Sequence, residues 1–215
     1  MAVVWLHGVG DTGMGWAGQF RAVQREVPGL KMVHPDAPEQ PLTSADGEVM
    51  NSWFDIVKWQ PPVKPIGLDE PDPPTGLDAT IKFIHKEFEE LEKSGVPADK
   101  IIVGGFSQGG AASIIAGLTY PRKIGGIASI SGWCMYRGEG ELKAMVPEGN
   151  TTTPCLFCCG DRDDVIDVEL SRESNKILTD IQGDSFTYLE ARRAGHFQSS
   201  MEMDAVLKFM IANLK

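Results

Sequence analysis

The chain has 215 residues, 42% hydrophobic and 23% charged, with an acidic excess that leaves a formal net charge of -10. That hydrophobic fraction is enough for a continuous core, so the composition excludes disorder and predicts a single domain over residues 1–215. The acidic excess argues against a nucleic-acid partner, which would need clustered Lys and Arg. With no leader pattern and no run of about 20 apolar residues, the expectation is a soluble cytoplasmic protein.

In chain order, the first apolar run, residues 3–6, leads into the glycine-rich turn His7-Gly8-Val9-Gly10-Asp11-Thr12-Gly13. As a phosphate loop it lacks the Lys-Ser/Thr ending; as a turn after an early strand it suits presentation of the Val9 amide. A second run, 30–33, precedes His34 and Pro35, where His34 could cap the strand end. Residues 58–75 carry Pro61, Pro62, Pro65, Pro71, Pro73 and Pro74 and predict an irregular surface loop, either a passive connection or a flap over a pocket. Leu77, Ile81, Ile84, Phe88 and Leu91 then recur with helical spacing, with Asp78 as the expected N-cap, Gly95 as the stop and His85 beside the apolar stripe.

The run 101–106 passes into Gly105-Phe106-Ser107-Gln108-Gly109 and a small-residue helix. Glycines flank the serine because a sharp strand-to-helix turn leaves no room for side chains on either side. Further runs fall at 127–130, 155–159 and 186–189. The run at 155–159 holds Cys155, Cys158 and Cys159, read with Cys134 as buried, reduced thiols; alternation puts Cys155 and Cys159 on one face and Cys158 on the other. Beyond it lies an acidic loop with Asp161, Asp163, Asp164 and Asp167. After the last run, Ala194-Gly195-His196-Phe197 precedes a final helix that buries Val206, Phe209, Met210 and Leu214.

Continuous apolar strands alternating with amphipathic helices predict an α/β fold, a doubly wound and mostly parallel sheet with helices on both faces. Ligands of such sheets bind beyond the carboxyl ends of the strands. Ser107 stands there as a nucleophile, and a serine hydroxyl needs a base. Of the four histidines, His196 follows the last strand, where a base can reach over the sheet edge. The chain order Ser107, acidic loop, His196 is that of α/β hydrolases, and the amides of Val9 and Gln108 would form the oxyanion hole. Position alone leaves all four aspartates open.

The motifs at 5–13, at Ser52-Trp53-Phe54-Asp55-Ile56 and at 104–110, together with the acidic and histidine loops, resemble the acyl-protein thioesterase and lysophospholipase-like carboxylesterase family over nearly the whole chain. The resemblance implies a compact hydrolase without a large cap and with no metal or organic cofactor. It implies Asp163, from the Gly-x-x-Asp pattern at 160–163, as the triad acid, with Asp164 next. It also implies acyl thioesters of protein cysteines and simple esters as substrates. Trp53, Phe54 and Trp133 are the candidate lining of an acyl groove, or else core and rim packing. Transient contact with a membrane surface and a homodimer are both compatible with the sequence. A short-chain carboxylesterase or lysophospholipase with the same triad is the alternative within enzymes; a non-catalytic receptor on a hydrolase scaffold is the alternative outside them.

Overall fold

The computed structural model describes Met1 through Lys215. In chain order its elements are β1 (Ala2–Leu6), α1 (Gly13–Trp16), α2 (Arg21–Glu26), β2 (Lys31–Val33), β3 (Glu39–Leu42), β4 (Glu48–Asn51), α3 (Leu77–Lys93), β5 (Ile101–Phe106), α4 (Gln108–Thr119), β6 (Gly126–Ile130), α5 (Glu141–Met145), β7 (Cys155–Gly160), α6 (Val168–Gln182), β8 (Phe186–Ala191) and α7 (Ser200–Leu214). Every residue of β1, β5, β6 and β7 is buried, as strands covered on both faces must be.

Six strands form one parallel sheet in the order β2-β1-β5-β6-β7-β8. The chain leaves β1 for β2 on one side and returns to β5 on the other, so the strand order reverses between β1 and β5. Leu6 pairs with Gly105 at that point, and the loops after β1 and β5 emerge side by side. The crevice at such a switch point is where doubly wound sheets bind ligands.

The pleat divides the core in two. Val4, Leu6, Val103, Phe157 and Cys159 face α3, α4 and α6, while Val3, Trp5, Ile102, Leu156 and Cys158 face α1, α2 and α7. Helix α4 is buried from Gln108 through Leu118 between the sheet and α3, which explains its Gly and Ala content. All four cysteines are free and buried. Burial pushes their thiols up, Cys159 to about 11, so they are poor nucleophiles.

Three details differ from expectation. Helix α3 is capped by Gly76 in a left-handed conformation; Asp78 lies inside the first turn, where its carboxylate accepts from the Tyr136 hydroxyl. The antiparallel hairpin β3–β4 falls outside the apolar runs of the sequence. His34 does not cap its strand: its ring stacks on Phe20 and its Nδ1 is buried without a partner. The proline-rich segment is irregular but tied down. Glu70 accepts from the amides of Val57 and Lys58, Asp72 accepts from those of Tyr136 and Arg137, and Ile66 bridges in parallel to Ile166.

Candidate active site

Ser107 occupies the corner between β5 and α4 with φ 53° and ψ -121°, a conformation that L-residues rarely adopt. The turn is tight enough that a Cβ on Gly105 would fall 2.4 Å from the Gly109 carbonyl, and one on Gly109 would fall 2.4 Å from the carbonyl oxygens of Leu6 and His7. The two flanking glycines are therefore a steric requirement, and they let the oxyanion loop approach the nucleophile. The Ser107 amide donates to the Ile130 carbonyl at 2.9 Å, which fixes the corner to β6.

His196 Nε2 lies 3.0 Å from Ser107 Oγ, and His196 Nδ1 lies 2.8 Å from Asp163 Oδ2. Ser107 and His196 are nearly buried, and the Asp163 side chain is 1% exposed. Asp163 Oδ1 also accepts from the amides of Val165 and Ile166, each at 2.8 Å, so the carboxylate is held from two sides. The other three acids have separate places. Asp161 accepts from the Arg193 amide, Asp167 caps α6 through the Glu169 amide, and Asp164 is exposed. Beneath the histidine loop, Glu202 is fully buried in a capping box with Ser199, and burial raises its carboxyl above the usual range.

The Val9 amide makes no hydrogen bond within the chain, and Gln108 opens α4, where the first amides have no partner within the helix. The Ala37 amide donates to His7 Nε2 at 2.9 Å, which puts the ring proton on Nδ1, where it is donated to the Gly8 carbonyl at 2.7 Å. Because a trans peptide points its C=O and N–H in opposite directions, fixing the Gly8 carbonyl also fixes the direction of the Val9 N–H. Gln108 contributes more than its amide. Its Oε1 accepts from the Trp53 amide at 2.8 Å, and its Nε2 donates to Ser52 Oγ and the Phe54 carbonyl.

Of the two readings of Trp53, Phe54 and Trp133, groove lining or core packing, the structure places all three in the core, each 1% exposed. The Trp53 ring is buried as apolar surface, and its indole N–H, cut off from water, donates to the His7 carbonyl at 2.8 Å. Phe54 and Trp133 pack edge to face on each other. The cleft over Ser107, about 420 Å³, is lined instead by Val9, Trp59, Phe106, Val165 and Phe197 beside His196. Trp59 comes from the proline-rich segment, and Phe197, 78% exposed, stands at the rim. A sequence signal for both existed: each is a large aromatic in a loop at the carboxyl edge of the sheet.

A parallel sheet with a strained serine at its switch point, a histidine in contact with it and a carboxylate behind that histidine defines an α/β hydrolase of the serine-hydrolase type. The phospholipase/carboxylesterase family model matches residues 1–214. Acyl-protein thioesterase 1 of Neurospora crassa is 32% identical over 99% of this chain and 86% of its own length. That of Saccharomyces cerevisiae is 34% identical over 83% of this chain and 77% of its own. Among solved structures, acyl-protein thioesterase 2 of Zea mays superposes with a TM-score of 0.82 at 28% identity, covering 100% of this chain and 94% of the maize chain. Arabidopsis thaliana SOBER1 superposes at 0.85 and 25% identity, covering 100% and 99%. The chain belongs to the phospholipase/carboxylesterase family.

Proposed function

We propose that the protein hydrolyses acyl thioesters on the cysteines of S-acylated proteins, and carboxylic esters, through an acyl-enzyme on Ser107. The observation that carries this reading is the 3.0 Å contact between Ser107 Oγ and His196 Nε2 at the base of an apolar cleft. His196 takes the Ser107 proton as Oγ attacks the acyl carbonyl, and Asp163 orients and stabilises the resulting imidazolium. The amides of Val9 and Gln108 receive the oxyanion, with the N-terminus of α4 adding its dipole. The thiol leaves with the proton from His196; water, activated by the same imidazole, then releases the carboxylic acid.

Thioesters of protein cysteines are favoured over small esters by two features: the acyl-protein thioesterases among the relatives and the apolar lining of the cleft. The exposed side chain of Phe197 stands at the rim of the cleft, where an acyl chain would enter from a membrane surface, and no helix is long and apolar enough to cross one. A cytoplasmic protein making transient contact with such a surface fits both. The test compares kcat/KM on a palmitoylated peptide thioester with kcat/KM on short acyl esters, using wild type and Ser107→Ala. The long-chain thioester is expected to be preferred and Ser107→Ala to lose turnover on both substrates. A strong preference for short esters would instead assign a carboxylesterase, and Ser107-independent turnover would remove the mechanism.

A further inference from the structure

We propose that Ser131 is a positioning residue that fixes the distance between nucleophile and base. Ser131 immediately follows β6, is fully buried, and has φ 51°, one of five non-glycine residues with positive φ; Ser107 is another. Its hydroxyl donates to the His196 carbonyl at 2.9 Å. The preceding residue, Ile130, accepts the Ser107 amide, also at 2.9 Å, and the Ser131 amide donates to the Cys158 carbonyl of β7 at 2.8 Å. Two adjacent residues at the end of one central strand thus hold the backbones of both members of the Ser107–His196 pair, and are themselves anchored to the strand that leads to Asp163.

The histidine loop needs such an anchor. It leaves β8, the edge strand of the sheet, and carries the exposed Phe197 next to His196. Its other backbone ties lie to either side of the histidine: the Arg193 amide donates to Asp161, the Arg162 amide donates to Ala194, and the Ser199–Glu202 capping box opens α7. Only the Ser131 hydroxyl holds residue 196 itself by its backbone. A residue in a disfavoured conformation persists where its surroundings require it, and from this conformation Ser131 makes both the amide bond to Cys158 and the hydroxyl bond to His196. Reaction rates are sensitive to displacements of this kind, about 10²-fold for 1 Å.

The inference rests on the serine-hydrolase reading, and the experiment separates the two. Ser131→Gly and Ser131→Ala are assayed beside wild type and Ser107→Ala for steady-state hydrolysis of p-nitrophenyl butyrate, for labelling by a fluorophosphonate and for thermal midpoint. Glycine is at ease at this φ, which offsets part of the stability lost with the buried hydroxyl, so Ser131→Gly is expected to fold with a midpoint at or above that of Ser131→Ala. If the hydroxyl positions His196, both variants lose kcat by about tenfold, KM stays within about twofold, and labelling slows by the same factor as kcat. The loss is uniform from about pH 6 to 9, as expected of misplacement and not of altered titration. A Ser131→Gly variant with wild-type kcat, or a defect confined to KM, would overturn the proposal and leave Ser131 as a turn residue. Wild type without Ser107-dependent turnover would instead overturn the functional reading beneath it.

Discussion

At the scale of single residues, the site stores strain where the chemistry needs exposure. The backbone of Ser107 lies outside the regions open to L-residues, a departure that costs about 1–3 kcal/mol. It stands Oγ at the head of α4 with His196 beside it, in a position that an ordinary strand end would not reach. The consequence can be measured as stability. Ser107→Ala keeps a Cβ and so keeps the strain, whereas Ser107→Gly removes it. Both are expected to be inactive, with Ser107→Gly the more stable by about 1 kcal/mol in urea denaturation, after allowance for glycine's larger unfolded-state entropy. A glycine variant less stable than the alanine variant would mean that the elbow is not strained as its dihedral angles indicate.

At the scale of elements, the site is an assembly of three loops joined by polar side chains that are themselves buried. Gln108 ties the segment Ser52–Phe54 to the head of α4; Trp53 ties that segment to the loop after β1; His7 aims that loop's amide at the cleft. Gln108→Ala retains the backbone amide of the oxyanion hole but leaves the Trp53 amide without its acceptor, while the Phe54 carbonyl keeps only the Ser52 hydroxyl. An orphaned buried amide costs about 1–3 kcal/mol. The variant should therefore unfold at clearly lower urea and also lose kcat through a loosened oxyanion loop. Wild-type stability in Gln108→Ala would show that the clamp is dispensable.

The same network marks the limit of what could be read from sequence. Strands β1, β2, β5, β6, β7 and β8 all fall on apolar runs bounded by turn residues, and Ser107 and His196 are legible because each follows such a run. Spacing does not separate Asp163 from Asp161, Asp164 and Asp167, since all four follow β7 and only the fold determines which one faces the histidine. Hairpin β3–β4 is solvent-facing and contains Pro41, so it has no apolar run to find. Trp53 and Phe54 read as groove because sequence gives the size of a ring but not the side from which it is covered; the His7 carbonyl that claims the indole N–H lies 46 residues away.

For the whole molecule, acid stability follows from where its histidines and carboxylates are held. His85 is half-buried between α3 and α4, packed against Phe88 and Tyr120, with its Nε2 2.9 Å from the Ala116 carbonyl. Burial lowers its pKa below the ordinary 6.5, with the Ala116 bond and Glu89 opposing; burial lowers that of His34 as well. A depressed native pKa means that the unfolded chain binds protons more readily. The stability contributed by these residues is therefore complete above pH 6.5 and is lost as pH falls through the native values. Glu92 and Glu190, paired with Arg122 and Arg172, add a loss in the same direction below about 4.5. Glu202 acts oppositely: its raised pKa makes its contribution full below 4.5 and lost as pH rises. Between about pH 7.5 and 5.5 the histidines should control the slope, so the urea midpoint is expected to fall over that interval. His85→Gln keeps a donor for the Ala116 carbonyl but cannot titrate, and its midpoint should fall less. Equal slopes for wild type and His85→Gln would place the acid sensitivity elsewhere, with His34 the next group to replace.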